Sequence, residues 1–172
     1  MEGDAPVEPL VMAAPLGFEG FFRSSHPRLV AIALPLSGDV DTARDLAQEA
    51  LLRTYRAWPK VSTLDQPGAW TRRVLLNLAV DVSRRRRRES AANGRAFAPD
   101  SDVADTSVVD QSFWVAVRAL PALQRSSVVL HYVDDMSVAD VAAVLEVSEG
   151  TVKTSLHRAR QTLAKTLEVR DE

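Results

Sequence analysis

The chain has 172 residues, a formal net charge of -2 and 46% hydrophobic residues. That length fits one domain or two small ones, and the apolar fraction suffices for a globular core, which argues against global disorder. The absence of cysteine excludes disulfides and thiol chemistry, and no basic leader or apolar run long enough for a membrane span is present. We therefore expect a cytoplasmic protein without membrane insertion.

Positive charge is concentrated in one part of the sequence. Residues 59–90 carry eight Arg or Lys against three Asp or Glu, whereas residues 91–120 carry two against four. The net charge alone argues against a nucleic-acid partner. The basic block followed by an acidic segment favours one.

The first third of the chain predicts two helices. Residues 1–16 are rich in Pro and Ala without periodicity, which predicts a mobile tail. Residues 18–36 follow an apolar helical pattern, and Pro27 and Pro35 predict a break or kink at one or both positions. A turn then precedes a helix over residues 41–58, whose predicted core stripe is Ala43, Leu46, Ala47, Ala50, Thr54 and Trp58.

A second face of that helix carries a leucine among acids and amides. Its residues recur at spacings of three and four: Asp45, Gln48, Glu49, Leu52 and Arg56. An exposed leucine in such surroundings is typical of a partner surface. An ordinary solvated face with one stray leucine gives the same pattern, and both interpretations stay open.

A loop over residues 60–68 leads to a long helix over 67–88. Its predicted buried row is Trp70, Val74, Leu78 and Val82. Another face repeats polar and basic side chains: Arg73, Asn77, Asp81, Arg84 and Arg88. The run 84–88 is five arginines, more than a helix end needs to oppose its dipole, so we favour a contact with a phosphate backbone that includes Arg85.

The composition of residues 90–107 predicts a linker between two domains. This segment contains Gly94, Pro99 and several Ser, Ala and Asp residues. We therefore expect a first domain over residues 17–89 and a second over 108–170. A helix over 108–120, with Phe113, Val117 and Leu120 facing inward, begins the second domain.

Residues 120–163 predict a helix-turn-helix with a supporting helix in front. Pro121 suits the first position of the supporting helix. Ser137 and Ser148 can cap the two following helices, with Asp140 as a capping-box partner of Ser137. The last helix has a predicted core stripe of Val152, Leu156, Ala159 and Leu163, and outward residues Thr151, Lys153, Thr154, Ser155, His157, Arg158 and Arg160.

A helix placed in this way fits the major groove of B-DNA, where hydroxyl groups and Lys153 can reach base edges while Arg158 and Arg160 hold phosphates. A helical hairpin with a solvated face is the alternative. The three histidines are scattered and no Gly-rich phosphate loop or metal-ligand spacing occurs, so we expect no cofactor, no metal and no catalysis.

Several segments in order resemble the bacterial RNA polymerase sigma factors of the extracytoplasmic-function (group 4) type, in particular their actinobacterial SigE-like branch. These are residues 36–39 (LSGD), 45–52 (DLAQEALL), 70–81 (WTRRVLLNLAVD) with the arginine run, 120–121 (LP), 148–153 (SEGTVK) and 157–160 (HRAR). The resemblance covers residues 18–167 and implies an all-α fold of two domains, sigma regions 2 and 4, on a flexible linker.

The resemblance implies a promoter-specificity subunit whose partners are core RNA polymerase, through its β and β′ subunits, promoter DNA and an anti-sigma factor. It assigns polymerase binding to Asp45, Gln48, Glu49, Leu52 and Arg56. It assigns the -10 element to the loop 60–68 and to Arg73, Asn77, Asp81, Arg84, Arg85 and Arg88. It assigns the -35 element to Ser148, Glu149, Thr151, Lys153, Thr154, Ser155, Arg158 and Arg160.

Three positions depart from the family pattern. Glu146 stands in the helix-turn-helix turn where Gly is common, so a positive φ there would strain the backbone. Ser155 stands where Arg is common, and Pro35 lies near the end of the first helix.

A stand-alone helix-turn-helix regulator and a nuclease are the rival functions. The first leaves the pattern of residues 41–88 unused, and the second needs clustered acids that the sequence lacks.

Overall fold

The computed structural model describes residues 17–92, here called the N-terminal half, and residues 108–168, the C-terminal half. These residues form eight helices and no strand, so the predicted all-α class is confirmed. The predicted tail over residues 1–16 and most of the predicted linker lie outside the described residues. The helices are α1 Phe18–Ser37, α2 Val40–Arg56, α3 Trp58–Val61, α4 Pro67–Ala92, α5 Val108–Ala119, α6 Ala122–Tyr132, α7 Val138–Leu145 and α8 Glu149–Glu168.

Helix α1 runs through both of its prolines, so neither breaks the helix, and the predicted kink stays a prediction. Between them, Leu29, Ile32 and Ala33 are buried against α2 and α4. This tertiary packing offsets the backbone hydrogen bonds that the prolines remove. The helix ends at Gly38, whose φ of 85° lets its N–H donate to the Leu34 carbonyl oxygen at 2.9 Å.

Helix α2 ends two residues before the predicted boundary at Trp58. Trp58 instead begins α3, where Pro59 occupies the first turn without losing a needed hydrogen bond. Its indole is buried in a small hydrophobic cluster with Phe18 and Val61. All six residues of the predicted core stripe are buried, five of them on α2 and Trp58 on α3. The loop before α4 is shorter than predicted and covers residues 62–66.

Helix α4 extends to Ala92, past the predicted end at residue 88. Its buried side is displaced from the predicted row, whose members Trp70, Val74, Leu78 and Val82 are only half-buried. The buried residues are Thr71, Leu75, Leu76 and Ala79. The physical reason is that α1 and α2 cover α4 on one side while α7 packs on another, so the most buried strip is set by several neighbours.

The C-terminal half packs against the N-terminal half. Helix α7 contacts α4, and both α5 and α6 contact α1. One hydrophobic core continues through both halves, from Leu29 and Leu75 to Val128, Val141 and Leu156. Helix α6 begins at Ala122, with Pro121 as its N-cap, so the predicted start was one residue early. In residues 17–92 and 108–168, no helix combines the length and hydropathy of a membrane span.

Candidate nucleic-acid interface

Two capped helices form the predicted helix-turn-helix. The Ser137 hydroxyl accepts a hydrogen bond from the Asp140 N–H at 3.1 Å and donates to the Asp140 carboxylate at 2.6 Å. Ser148 caps α8 by accepting from the Thr151 N–H at 3.1 Å. Glu146 ends α7 with φ 54° and ψ 44°, so the suspected left-handed turn is present. The left-handed turn at Glu146 and the Ser148 cap together fix the angle at which α8 leaves α7.

Helix α8 buries its predicted stripe and exposes most of its predicted reading face. The exposed predicted residues are Ser148, Glu149, Lys153, Thr154, His157, Arg158 and Arg160, and Thr151 is half-buried. Ser155 is only 6% exposed, so its predicted outward orientation is wrong. It follows Val152 by three positions and precedes Ala159 by four, which places it on the same buried face of the helix.

The exposed polar residues near the start of α8 already have local partners. Lys153 forms an ion pair with Glu149 at 3.6 Å, and the Thr154 hydroxyl donates to the Gly150 carbonyl oxygen at 2.9 Å. Both contacts are on the surface and are weak enough to exchange for contacts with a base edge or phosphate. This face therefore presents hydroxyl groups and one lysine first, and two arginines further along.

The arginine run on α4 is divided among different environments. Arg84, Arg87 and Arg88 are exposed, as are Asn77 and Asp81. Arg85 pairs with Glu89 at 2.9 Å. Arg86 turns inward and donates to three acceptors where α1 ends and α2 begins: the Ser37 carbonyl oxygen, the Asp39 carboxylate and the Thr42 hydroxyl. Arg86 is thus a structural brace, which the pattern of five arginines did not reveal.

Asp39 joins this brace to the start of α2. Its carboxylate accepts a hydrogen bond from the Thr42 N–H at 2.7 Å, which caps the helix, and another from Arg86 at 3.0 Å. Burial raises the pKa of Asp39, but the hydrogen bonds from Thr42 and Arg86 outweigh it, and the pKa lies below its ordinary value. The carboxylate is therefore held ionised where α1, α2 and α4 meet.

Arg73, predicted to contact DNA, is engaged by the C-terminal half. Its guanidinium donates to the carbonyl oxygens of Val144 and Ala143 and also pairs with Glu146. Its neighbour Arg72 pairs with Asp134. In this arrangement Arg73 is not free alongside Asn77 and Asp81, and its assignment to the -10 element stays a prediction.

Asp134 is a buried carboxylate at the entry to the helix-turn-helix, and the sequence analysis did not identify it. Its side chain is 2% exposed and accepts from Arg72 at 2.5 Å, while Arg28 approaches it at 3.2 Å. A buried carboxylate requires such cationic partners. The only sequence signal is the pair Asp134-Asp135 between two apolar helices, which does not identify its arginines.

The candidate polymerase-binding face on α2 is exposed as predicted. Leu52 is 40% exposed, and Asp45, Gln48 and Arg56 are exposed around it. Glu49 is half-buried and accepts a hydrogen bond from Arg53 at 2.8 Å. The face therefore combines an apolar centre with a mixed polar rim, the composition found at the edges and centres of protein interfaces.

The histidines and acids of the described residues show no arrangement for holding a metal. No group of three or more His, Cys, Asp or Glu side chains within residues 17–92 and 108–168 is placed to do so. The His131 imidazole lies 2.7 Å from the Met136 carbonyl oxygen, and His157 is exposed.

Comparison with known proteins identifies both halves. Residues 21–89 match the family model "Sigma-70 region 2", and residues 110–163 match "Sigma-70, region 4". An RNA polymerase sigma-E factor of Streptomyces avermitilis is 36% identical, over 91% of this chain and 88% of that protein. The ECF RNA polymerase sigma factor SigM of Mycobacterium tuberculosis is 32% identical, over 87% of this chain and 76% of that protein.

A solved structure agrees with these sequence matches. The sigma factor RpoE from Bartonella quintana, in complex with the anti-sigma factor NepR, is 27% identical and superimposes with a TM-score of 0.70. The match covers 88% of this chain and 97% of that one. The chain therefore belongs to the sigma-70 family, as an extracytoplasmic-function RNA polymerase sigma factor that acts in transcription initiation.

Proposed function

We propose that three surfaces divide the work of this sigma factor. The face of α2 around Leu52 binds core polymerase at its β′ subunit, since it offers an exposed apolar side chain that the fold does not use. The β subunit is the second polymerase contact. The polymerase-binding residues are Asp45, Gln48, Glu49, Leu52 and Arg56.

The two DNA elements are assigned to different helices. The face of α4 with Asn77, Asp81, Arg84, Arg85 and Arg88 engages the -10 element together with residues 60–68, which comprise the loop 62–66 and the helix ends beside it. Arg73 joins this face once released from α7. Helix α8 reads the -35 element through Ser148, Glu149, Thr151, Lys153, Thr154, Arg158 and Arg160. The exposed start of α8, capped by Ser148, is the observation that carries this assignment. Ser155 is left out because it is buried.

Regulation by an anti-sigma factor is part of the proposal. The Bartonella quintana relative is described in complex with one, and this chain shares its fold over most of its length. We further propose that the chain has no catalytic activity of its own, that it works in the bacterial cytoplasm, and that residues 17–89 and 108–170 act as two domains.

Run-off transcription with purified core polymerase tests the proposal. Over a promoter library, the chain should convert core polymerase into a promoter-specific enzyme, and transcripts should depend on both a -10 and a -35 element. A stand-alone regulator would instead bind its DNA site tightly without core polymerase and would yield no transcript with it. That result would refute the division of surfaces proposed above.

A further inference from the structure

A cleft of about 250 Å³ lies between the second half of α4 and the turn that joins α5 to α6. Helix α4 contributes Ser83, Arg84 and Arg87 to its lining. Residues 119–122 and Arg125 line the opposite side. The cleft is therefore built jointly by the two halves of the chain.

The polar lining of this cleft is dominated by uncompensated positive charge. None of its lining residues is acidic, and no carboxylate of the described residues pairs with Arg84, Arg87 or Arg125. Arg125 is only 5% exposed, and its guanidinium donates to the Arg118 carbonyl oxygen at 2.9 Å. Burial lowers the pKa of Arg125, and the charge of Arg87 lowers it further. The buried charge of Arg125 thus lies close to the exposed, like charge of Arg87.

Two neighbouring arginines on α4 each have a carboxylate partner, which the arginines of the cleft lack. Arg85 pairs with Glu89, and Arg86 pairs with Asp39. Beside the cleft, the Nε of Arg118 is buried and has no hydrogen-bond partner. A buried or crowded cation is costly unless an anion accepts its hydrogen bonds, so an anion in this cleft would gain charge-assisted hydrogen bonds.

We propose that this cleft binds an anion carrying two or more linked phosphate groups, held by charge-assisted hydrogen bonds from Arg84, Arg87 and Arg125. Planar guanidinium groups match the spacing of phosphate oxygens and remain charged at all physiological pH values. The volume of the cleft lies just below the range of pockets for drug-sized ligands, which suits a small anion made of linked phosphates. Because the anion would join α4 to α6, it would stabilise the packed arrangement of the two halves.

Isothermal titration calorimetry of the full chain with inorganic pyrophosphate tests the site. We expect saturable binding of one pyrophosphate per chain at low ionic strength. Arg84→Gln and Arg87→Gln should each weaken binding at least tenfold. Arg88→Gln is the matched control, because Arg88 is on the same helix, is also exposed and does not line the cleft. It should change the affinity less than twofold.

Other results would overturn or refine the assignment. If Arg88→Gln weakens binding as much as Arg87→Gln, or if no saturation at one site occurs, the attraction is a diffuse property of the basic helix and the proposal fails. A short single-stranded oligonucleotide whose binding is weakened at least tenfold by Arg87→Gln would assign the cleft to nucleic acid and overturn the proposal, because Arg87 lines the cleft and is not part of the proposed -10 surface. Tighter binding of ADP or GDP than of pyrophosphate would identify a nucleotide as the source, and equal or weaker binding a free polyphosphate. None of these measurements requires polymerase or a promoter. Arg84 also belongs to the proposed -10 surface, whereas Arg87 and Arg125 do not, so the effect of Arg87→Gln on pyrophosphate binding is independent of the proposed function.

Discussion

Arg73 of α4 caps a helix that belongs to the other half of the chain, by donating from its Nε to the Val144 carbonyl oxygen at 2.7 Å and from a terminal nitrogen to the Ala143 carbonyl oxygen at 2.9 Å. Both carbonyl groups lie in the last turn of α7, where a helix leaves its acceptors unpaired and where a cation opposes the helix dipole. The first helix of the DNA-binding motif is therefore completed by a residue of the N-terminal half.

Replacing Arg73 should weaken the packing between the halves. We expect Arg73→Ala to lower the free energy of unfolding by about 1–3 kcal/mol, because it leaves two helix-terminal acceptors unpaired. Urea unfolding followed by circular dichroism measures the change. Asn77→Ala, one turn along and exposed, is the control and should cost less than about 0.5 kcal/mol. Equal effects of the two variants would show that the cap contributes nothing.

The left-handed backbone at Glu146 predicts a stabilising glycine. Glu146→Gly relieves the strain of a side chain at φ 54°, but it also removes an exposed ion pair with Arg73 of small worth. Glu146→Ala removes the same ion pair and keeps the strain, so it isolates the backbone effect. We expect the glycine variant to exceed the alanine variant by about 1 kcal/mol in unfolding free energy. The reverse order of melting temperatures would contradict the strained turn.

The proposed polymerase-binding face makes a separate prediction. Leu52→Arg should abolish binding to core polymerase and leave thermal unfolding nearly unchanged, since Leu52 is 40% exposed. Leu64→Arg is a matched control, because Leu64 is 39% exposed and lies outside that face. Binding can be measured by co-elution with core polymerase. If Leu52→Arg unfolds the protein or leaves binding intact, the face does not have the proposed role.

Base reading and phosphate contact on α8 can be distinguished by their salt dependence. Arg158→Ala should weaken holoenzyme binding to all -35 sequences about equally and lower the salt slope by about one unit, since one fewer counterion is released. Lys153→Ala or Thr154→Ala should cost about 1–3 kcal/mol on the preferred site and less on others.

A randomised -35 library, measured at two salt concentrations, gives both quantities. Ser155→Ala is the control on the buried face and should leave the base preference unchanged. A changed base preference for Arg158→Ala, with none for Lys153→Ala and Thr154→Ala, would mean that α8 is docked differently.

The brace between Asp39 and Arg86 predicts a pH dependence. The pKa of Asp39 is lower in the folded chain than its ordinary value, so its ionised form stabilises the fold above a pH of about 4, and this stabilisation is lost as the pH falls through the folded pKa. Asp39→Asn keeps a capping side chain but loses the charge. Its deficit in unfolding free energy should be present at pH 7 and shrink below about pH 4. Asp41→Asn, nearly fully exposed, should show no such trend, and a pH-independent deficit for Asp39→Asn would exclude the brace.

Local patterns were enough for much of the fold. The stripes of α2 and α8 follow from helical spacing, because each of these helices buries one face, and Ser137 and Ser148 are recognisable caps. The resemblance in six ordered segments gave the family. The positive φ at Glu146 was also foreseeable, because the family pattern has Gly there.

Long-range contacts account for what the sequence analysis missed. Helix α4 is covered by neighbours from both halves, so its most buried residues are not those of the best apolar row. Ser155 is small enough to be buried although it is polar. Its polar and charged neighbours in the sequence led to the prediction that it faces outward. The roles of Arg86 and Asp134 depend on partners distant in the chain, which no local spacing encodes.

The continuous core through both halves sets a cost for any partner that requires them apart. If packed and separated forms are in equilibrium, shifting their ratio from 99:1 to 1:99 takes a difference in binding free energy of about 5.5 kcal/mol. A ligand that binds both forms equally cannot supply it, however tight its binding. Polymerase or DNA that needs Arg73 released must therefore bind the separated form far better than the packed one. Because the shared core of Leu75, Val128 and Val141 favours the packed form, the fraction of separated chains rises with the concentration of such a partner.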